Sequence, residues 1–432
     1  MTRPVDSYTT PQRQALEAEK CRRLNALLAE VVPANQFYAE KFAECPRQVD
    51  SLEAFAAFPL TTKTELIAPN GQATNRTWPD SRYVRFHQTS GTRGQPLQVW
   101  DTAADWAWWL DCWRLIYDRA GLRPGEGVFV AASFGPYVGF WSAFEAAVAS
   151  GGRAIPAGGL SSLARLDLLQ RTEATVLVAT PSYALHLAEV ARQEGIDTAA
   201  SAVRCVLVAG EPGGSIPAVR ERIAAAWQAQ VLDHAGATEI GPWGVGRLSE
   251  PGLEVIEDWF YPEFLALDDD RPAGEGELAE LVLTTLGRTG CPVIRYRTGD
   301  VVRPHWPAHS ACHELVDAEA GLGKSAWVQL VGGVLGRVDD MLIIRGMNVF
   351  PSAIENIVRG FPEVEEFRLT VRRQGSLDSL ELEIEDRLED PGRVAGELHR
   401  RLGLRVEVLA VPAGSLPRFS GKARRVVDAR SG

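Results

Sequence analysis

The 432-residue chain reads as an α/β protein of two units: a large N-terminal one with parallel-rich sheets covered by helices, and a small C-terminal α/β one. Three observations predict this. VFVAASF (128–134), ATVLVAT (174–180) and RCVLVAG (204–210) are short, near-continuous apolar runs, and the stretches 161–171, 182–194 and 217–229 around them read as helices. Strands that are apolar on both faces and alternate with helices are the mark of a parallel sheet covered on both sides. A chain of this length also exceeds what one ordinary core holds. After GRVDD (336–340) the pattern restarts: LELEIED (380–386) alternates by two, 391–402 is helical and RVEVLAV (405–411) is a strand, so a boundary is expected near 337.

Taken in order, residues 11–45 read as helix, with Leu16, Leu24, Leu27, Leu28 and Val31 at helical spacing. Arg82 to Trp100 is rich in Ser, Thr and Gly, and Trp106, Trp109 and Trp113 then fall three and four apart, which predicts a helix with one buried aromatic face. The apolar strands end in loops of small or special residues, SFGPYVG, TPSYA and AGEPGG. In open α/β sheets ligands bind at such C-terminal strand ends. ELAELVLTTL (277–286) and CPVIRYRTGDVV (291–302) read as further strands, followed by a Gly-rich, apolar-light stretch over 318–336.

The bulk composition narrows the partners. Hydrophobic residues are 45% and charged ones 23%, normal for a globular chain, and the formal net charge is -11. An acidic surface repels phosphate backbones and anionic membranes, so neither nucleic acid nor a bilayer is an expected partner. Cysteines at 21, 45, 112, 205, 291 and 312 form no C-x-x-C, which suits a reducing compartment. The polar start MTRPVDSYTTPQRQ is unlike a signal peptide, and no run of 18 apolar residues offers a membrane span. A cytoplasmic protein is expected.

Six segments carry groups suited to chemistry. Gln88-Thr89-Ser90-Gly91-Thr92-Arg93-Gly94-Gln95-Pro96 joins hydroxyls and glycines in a loop able to wrap phosphate oxygens, although no Gly-Lys-Ser/Thr of a Walker loop occurs. Ala209-Gly210-Glu211-Pro212-Gly213-Gly214 closes an apolar strand, and Asp233-His234-Ala235-Gly236-Ala237-Thr238-Glu239 ends in a carboxylate of the kind a nucleotide-bound magnesium ion takes as oxygen ligand. Arg295-Tyr296-Arg297-Thr298-Gly299-Asp300 places a carboxylate at a strand end, where it can accept hydrogen bonds from ribose hydroxyls. Gly336 to Met341 and Ile344 to Pro351 straddle the expected boundary. Pro417 to Arg425 holds Lys422 among Arg418, Arg424 and Arg425, in a chain whose only lysines are 20, 41, 63, 324 and 422. A compact ammonium on a flexible stem reaches between a carboxylate oxygen and a phosphate. Read singly, these are also a surface loop, two glycine turns, a surface ion pair and a solvated basic tail.

In this order, the six segments resemble the adenylate-forming superfamily of acyl-CoA synthetases, luciferases and peptide-synthetase adenylation domains. RYRTGD, GRVDDMLIIRGMNVFP, SGKARRVVD and the short length resemble its phenylacetate–CoA ligase family, with likeness from about residue 15 to 428. The resemblance implies an N-terminal domain over 1–336 and a mobile C-terminal domain over 337–432 that rotates about Asp339. It implies that Thr89, Ser90, Gly91, Thr92 and Gly94 hold the β- and γ-phosphates, and that Gly210, Glu211 and Pro212 line the adenine. Thr238 would touch the α-phosphate, Glu239 would hold magnesium, and Asp300 with Arg337 would grip the ribose. Lys422 would bridge acid and α-phosphate while a carboxylate oxygen attacks the α-phosphorus; the small domain would then turn and admit the thiol of coenzyme A. ATP, Mg2+ and CoA follow as substrates and cofactor, and a homodimer is a family-level expectation.

Phe134, Tyr137, Gly139, Phe140, Ala235 and Gly236 would shape the acid pocket, and aromatic walls over a glycine floor suit a flat aryl acid, of benzoate type such as anthranilate in secondary metabolism, or phenylacetate. The chain departs from the family where Gln95 replaces the usual loop Lys and Arg93 the usual Thr. The family's Cys/His zinc site is also altered: His305, His309, Cys312 and His313 could make a rearranged site, but a polar loop is the expectation and a structural zinc is not. Rival expectations are transfer to a carrier-protein phosphopantetheine or an amine, and a non-catalytic nucleotide or acyl-adenylate sensor.

Overall fold

The computed structural model describes residues 11–89, 96–306, 327–344, 347–374, 377–403, 405–417 and 425–430. Ser90, Gly91, Thr92, Arg93, Gly94, Gln95, His309, Cys312, His313 and Lys422 lie outside the described residues.

The apolar runs become the centre of a nine-stranded sheet. Gln230–Ala237, Cys205–Ala209, Val176–Ala179, Gly127–Val130 and Arg153–Pro156 lie side by side and parallel. Every residue of Gly127–Val130 and Val176–Ala179 is buried, which is why these strands show no alternation. One face is covered by the helices Ser162–Thr172, Pro181–Gln193 and Pro217–Trp227, whose side chains share a core with Val206, Val208 and Val231. The other face is covered by Ala103–Arg119 and Val138–Ala149. Beyond Gln230–Ala237 the sheet turns antiparallel through Gly241–Val245, Leu253–Val255, Gln329–Leu330 and Pro304–His305.

The strands read over 277–302 form a separate antiparallel sheet: Phe260–Ala266, Ala279–Thr285, Tyr296–Val302 and Gly336–Arg337. The long helix read over 11–45 is instead two, Pro11–Ala34 and Gln36–Lys41. Asn35 breaks it: its extended backbone and side-chain oxygen, accepting from Tyr38 N at 3.1 Å, start the second helix afresh.

The tryptophan stripe is buried, with Trp106, Trp109 and Trp113 at 6%, 2% and 2% exposure. Trp108 is buried as well, so the helix packs on two sides. A capping box fixes its start: Thr102 accepts from Asp105 N, and Asp105 accepts from Thr102 N at 2.9 Å. Asp105 also accepts from Thr289 N and Gly290 N, tying this helix to the antiparallel sheet.

C-terminal to Asp340 a separate core forms from Leu342 through Val406, with no member from the earlier residues. Its sheet runs Glu407–Ala410, Leu377–Asp386, Val364–Gln374 and Val426–Asp428, backed by the helices Pro351–Val358 and Pro391–Leu402. No helix among the described residues is long and apolar enough to cross a membrane.

Candidate active site

Glu239 stands just past the end of strand Gln230–Ala237 and is 9% exposed. Its Oε1 accepts from Tyr296 OH at 3.0 Å and from Lys63 Nζ at 3.2 Å. Its main-chain carbonyl accepts from Arg288 at 2.8 Å, and Arg288 is itself fully buried against Asp101 at 2.7 and 2.9 Å. The carboxylate is thus held from behind and from one side. A buried carboxylate needs such partners, because leaving the charge unpaired costs several kcal/mol.

Tyr296 begins the strand that also carries Asp300. Asp300 faces Arg337 in register, and Arg337 donates to Asp300 Oδ1 at 2.8 Å. Gly299 makes room for this: its φ is 75°, and a Cβ there would stand 2.6 Å from the Arg337 guanidinium. Asp339 lies 3.8 Å from Arg337 in the turn Val338–Asp340, where the second core begins. One strand therefore connects Glu239, through the Tyr296 hydroxyl, to the Asp300–Arg337 pair at the boundary.

The remaining predicted residues take the following places. Thr89 is buried at the base of its loop, where its hydroxyl accepts from Leu97 N at 2.9 Å and its N–H donates to Leu97 O at 3.0 Å. That hydroxyl oxygen helps close the loop's base. Gly210 has φ 91° and, with Pro212, is exposed at the strand end. The Glu211 carboxylate accepts from Ser182 N at 2.8 Å, so it caps the helix Pro181–Gln193 and fixes the strand-end loop to it. Thr238 is half-buried beside Glu239. Of the altered zinc segment, His305 is described and bonds Glu275. The described residues contain no group of three His, Cys, Asp or Glu placed to hold a metal ion.

The aromatic loop joins the same region. Gln88 N donates to Pro136 O at 2.9 Å, which binds the strand Tyr83–Gln88 to the segment Phe134–Phe140. Phe134 packs on Trp141 and Phe144, with ring centroids 4.7 and 5.4 Å away. Phe140 and Ala235 pack against the same core, while Tyr137, Gly139 and Gly236 are exposed. Behind them Trp113 donates to Ser142 Oγ at 2.8 Å, and Ser142 donates to Gly139 O at 2.9 Å.

Two residues near the site were not singled out from the sequence. Lys63 is one; its signal was the scarcity of lysine, since only five occur in the chain. The other is Arg288, whose signal was absent because arginine is common here. Asp233 faces the opposite side of the sheet, bonded by Ser215 Oγ, and burial pushes its carboxyl up to about 6.

Comparison with known proteins places these features in a family. The AMP-binding enzyme family matches residues 14–262, and the AMP-binding enzyme C-terminal domain matches 346–430. Phenylacetate–coenzyme A ligase of Pseudomonas putida is 32% identical over 99% of this chain and 97% of its own length. The Escherichia coli (strain K12) phenylacetate–coenzyme A ligase is likewise 32% identical over 99% and 97%. Among solved structures, 2-hydroxyisobutyryl-CoA ligase in its postadenylation state, in complex with 2-HIB-AMP, superposes with a TM-score of 0.87 at 29% identity, covering 100% of this chain and 94% of that one. The same ligase in its thioesterification state, over the same shares of the two chains and at 30% identity, gives 0.70. A buried carboxylate braced by Tyr296 and Lys63, a second carboxylate paired with Arg337, and full-length likeness lead to one conclusion: the chain belongs to the AMP-binding, adenylate-forming superfamily, in its phenylacetate–coenzyme A ligase family of AMP-forming acid–thiol ligases.

Proposed function

We propose that the chain activates an aromatic carboxylic acid with ATP, releasing pyrophosphate, and passes the acyl group from the acyl-adenylate to the thiol of coenzyme A, releasing AMP. The observation that carries this reading is the strand Tyr296–Val302, which sets the braced Glu239 and the Asp300–Arg337 pair along one line at the sheet end. Those are the two oxygen-rich groups that a magnesium–nucleotide needs, one for the metal and one for the ribose.

Physical chemistry assigns the roles. Carboxylate and triphosphate are both anions, so attack at the α-phosphorus needs positive charge placed where charge accumulates. Glu239 Oε1 is already engaged by Tyr296 and Lys63, so Glu239 would hold Mg2+ through its other oxygen. The ion supplies charge neutralisation across the phosphates when bound. Lys63 lies beside the Glu239 carboxylate, with a side chain 44% exposed and free to shift from carboxylate to phosphate oxygen. Asp300 accepts from the ribose hydroxyls while Arg337 holds its geometry. Lys422 neutralises acid and α-phosphate in the first step, and the small domain turns at the Val338–Asp340 segment for the second.

The better fit to the postadenylation form than to the thioesterification form supports a first-step placement of the two units, because the two reference structures are one protein in two arrangements. The aromatic loop Phe134–Phe144 supports an aryl acid.

The test is a panel of carboxylic acids scored for pyrophosphate and AMP release with CoA, a holo-carrier protein or amines as acceptor. An aryl acid with CoA is expected to give the thioester. Lys422→Ala is expected to lose most pyrophosphate release yet still convert supplied acyl-adenylate and CoA. Absence of AMP formation with every acid and acceptor would sink the reading.

A further inference from the structure

We infer that His234 is a specificity residue of the acid pocket: its Nε2 accepts a hydrogen bond from an N–H or O–H group on the acid's ring. This deepens the proposed function and rests on it.

The inference begins with the alternation of strand Gln230–Ala237. Successive side chains point to opposite faces of a sheet. Asp233 points to the face where Ser215 meets it, and His234 to the face of the tryptophan helix, its ring 4.5 Å from Trp113. Trp113 is bonded to Ser142, and Ser142 to Gly139, so His234 stands behind the aromatic loop.

The tautomer is fixed by geometry. His234 Nδ1 lies 2.7 Å from the carbonyl oxygen of Gly244, which can only accept, so Nδ1 carries the proton. Nε2 is then a bare lone pair. It has no protein partner among the described residues, although the residue is only 7% exposed. Burial holds the ring neutral by pulling it down to about 4. Nε2 is not among the enclosed unpartnered polar atoms, so this lone pair of a buried residue keeps a small opening that a donor can reach.

Exposure rises along the strand just past His234. Ala235 is half-buried and Gly236 exposed as the strand leaves the sheet. A Cβ on Gly236 would stand 3.0 Å from Gly241 O and 3.4 Å from Nε2, so a side chain there would crowd the backbone of the next strand and cover the nitrogen, and glycine leaves it uncovered. The acid's carboxylate cannot fill that place, because it brings only acceptors to an acceptor. A ring amino or hydroxyl group can.

A site built to bond a polar substituent discriminates strongly against analogues without it, because its own polar group is then left unpaired. The experiment compares kcat/KM for pyrophosphate release across matched acids: benzoate with its amino-, hydroxy- and methoxybenzoates, and phenylacetate with its hydroxy and methoxy forms. Methoxy keeps the oxygen and removes the donor. Wild type is expected to favour at least one donor-bearing acid over both its parent and its methoxy analogue by about 100-fold or more. His234→Leu is expected to collapse that ratio about tenfold or more, and His234→Gln, which retains an acceptor, to recover part of it. Ratios near one throughout the wild-type panel would overturn the assignment, whether or not the variants fold. So would a His234→Leu enzyme that slows both members of a pair by the same factor. A panel with no AMP from any acid is a distinct result that removes the adenylation reading itself.

Discussion

The two sides of Glu239 are built differently. Behind it, Arg288 is wholly enclosed: it donates twice to Asp101 and once to the Glu239 carbonyl, and lies 5.5 Å from the Trp109 ring. In front, the carboxylate meets Lys63, whose side chain is nearly half exposed, and the Tyr296 hydroxyl. A buried pair in which all three guanidinium nitrogens are bonded cannot exchange partners without leaving a bare charge, so it acts as scaffold. An ammonium at the surface is rehydrated when it gives up a carboxylate for water or phosphate, and Tyr296 still bonds the carboxylate left behind, so this contact exchanges at less cost than the rear pair. The comparison separates charges that hold the fold from charges free to do chemistry, although both lie within a few ångströms of one residue.

Breaking the rear side has the largest effect. Asp101→Ala leaves Arg288 buried and unpaired, and should cost about 3–5 kcal/mol in urea unfolding. Replacing both, Arg288→Met with Asp101→Leu, should regain much of that loss. A single variant within 1 kcal/mol of wild type would erase the distinction. The front side is the smaller term for folding and the larger for rate. Glu239→Gln and Lys63→Met should each leave the unfolding curve near wild type while lowering pyrophosphate release about 100-fold, the scale of one lost electrostatic contact in a transition state. Lys63→Met that destabilised the fold and spared the rate would place lysine with the scaffold.

The scaffold was more legible in sequence than the cleft. The apolar runs at 128–134, 174–180 and 204–210 became parallel strands because burial on both faces leaves a direct mark on composition. The tryptophan stripe was readable by spacing, and the 391–402 helix matches Pro391–Leu402. Asn35 was missed because a single polar residue inside a helical pattern signals a break only when its side chain caps. Within the site, Glu239, Asp300 and Arg337 were legible through short ordered motifs. Lys63 and Arg288 were not, since they reach Glu239 from 176 and 49 residues away and no local pattern encodes such a meeting. His234 lay inside a quoted motif, but its unmet nitrogen depends on Gly244, a residue of the next strand.

The smallest effect expected concerns acid stability on the scaffold side. His87 stacks on Trp106 at 5.5 Å, and its Nδ1 stands 4.0 Å from Asp101 Oδ2, both atoms buried without a hydrogen-bond partner. Burial, then the nearby Arg288 and Arg85, pull the imidazole from 6.5 down to about 4, against a smaller upward pull from Glu145. A folded-state value below the unfolded one adds stability that is complete above 6.5 and is lost as pH falls through about 4. His234 adds a loss of the same sign, and Asp233, raised from 3.8 to about 6, one of the opposite sign over that window. His87→Phe keeps the stacking area and removes the titration. Its stability should therefore fall less than wild type's between pH 7 and 4, by on the order of 1–2 kcal/mol, in unfolding curves taken at stepped pH. Parallel pH profiles for the two proteins would mean that Asp101 already compensates His87 in the folded state, and the scaffold side would then hold a charged pair where the present geometry has a neutral ring.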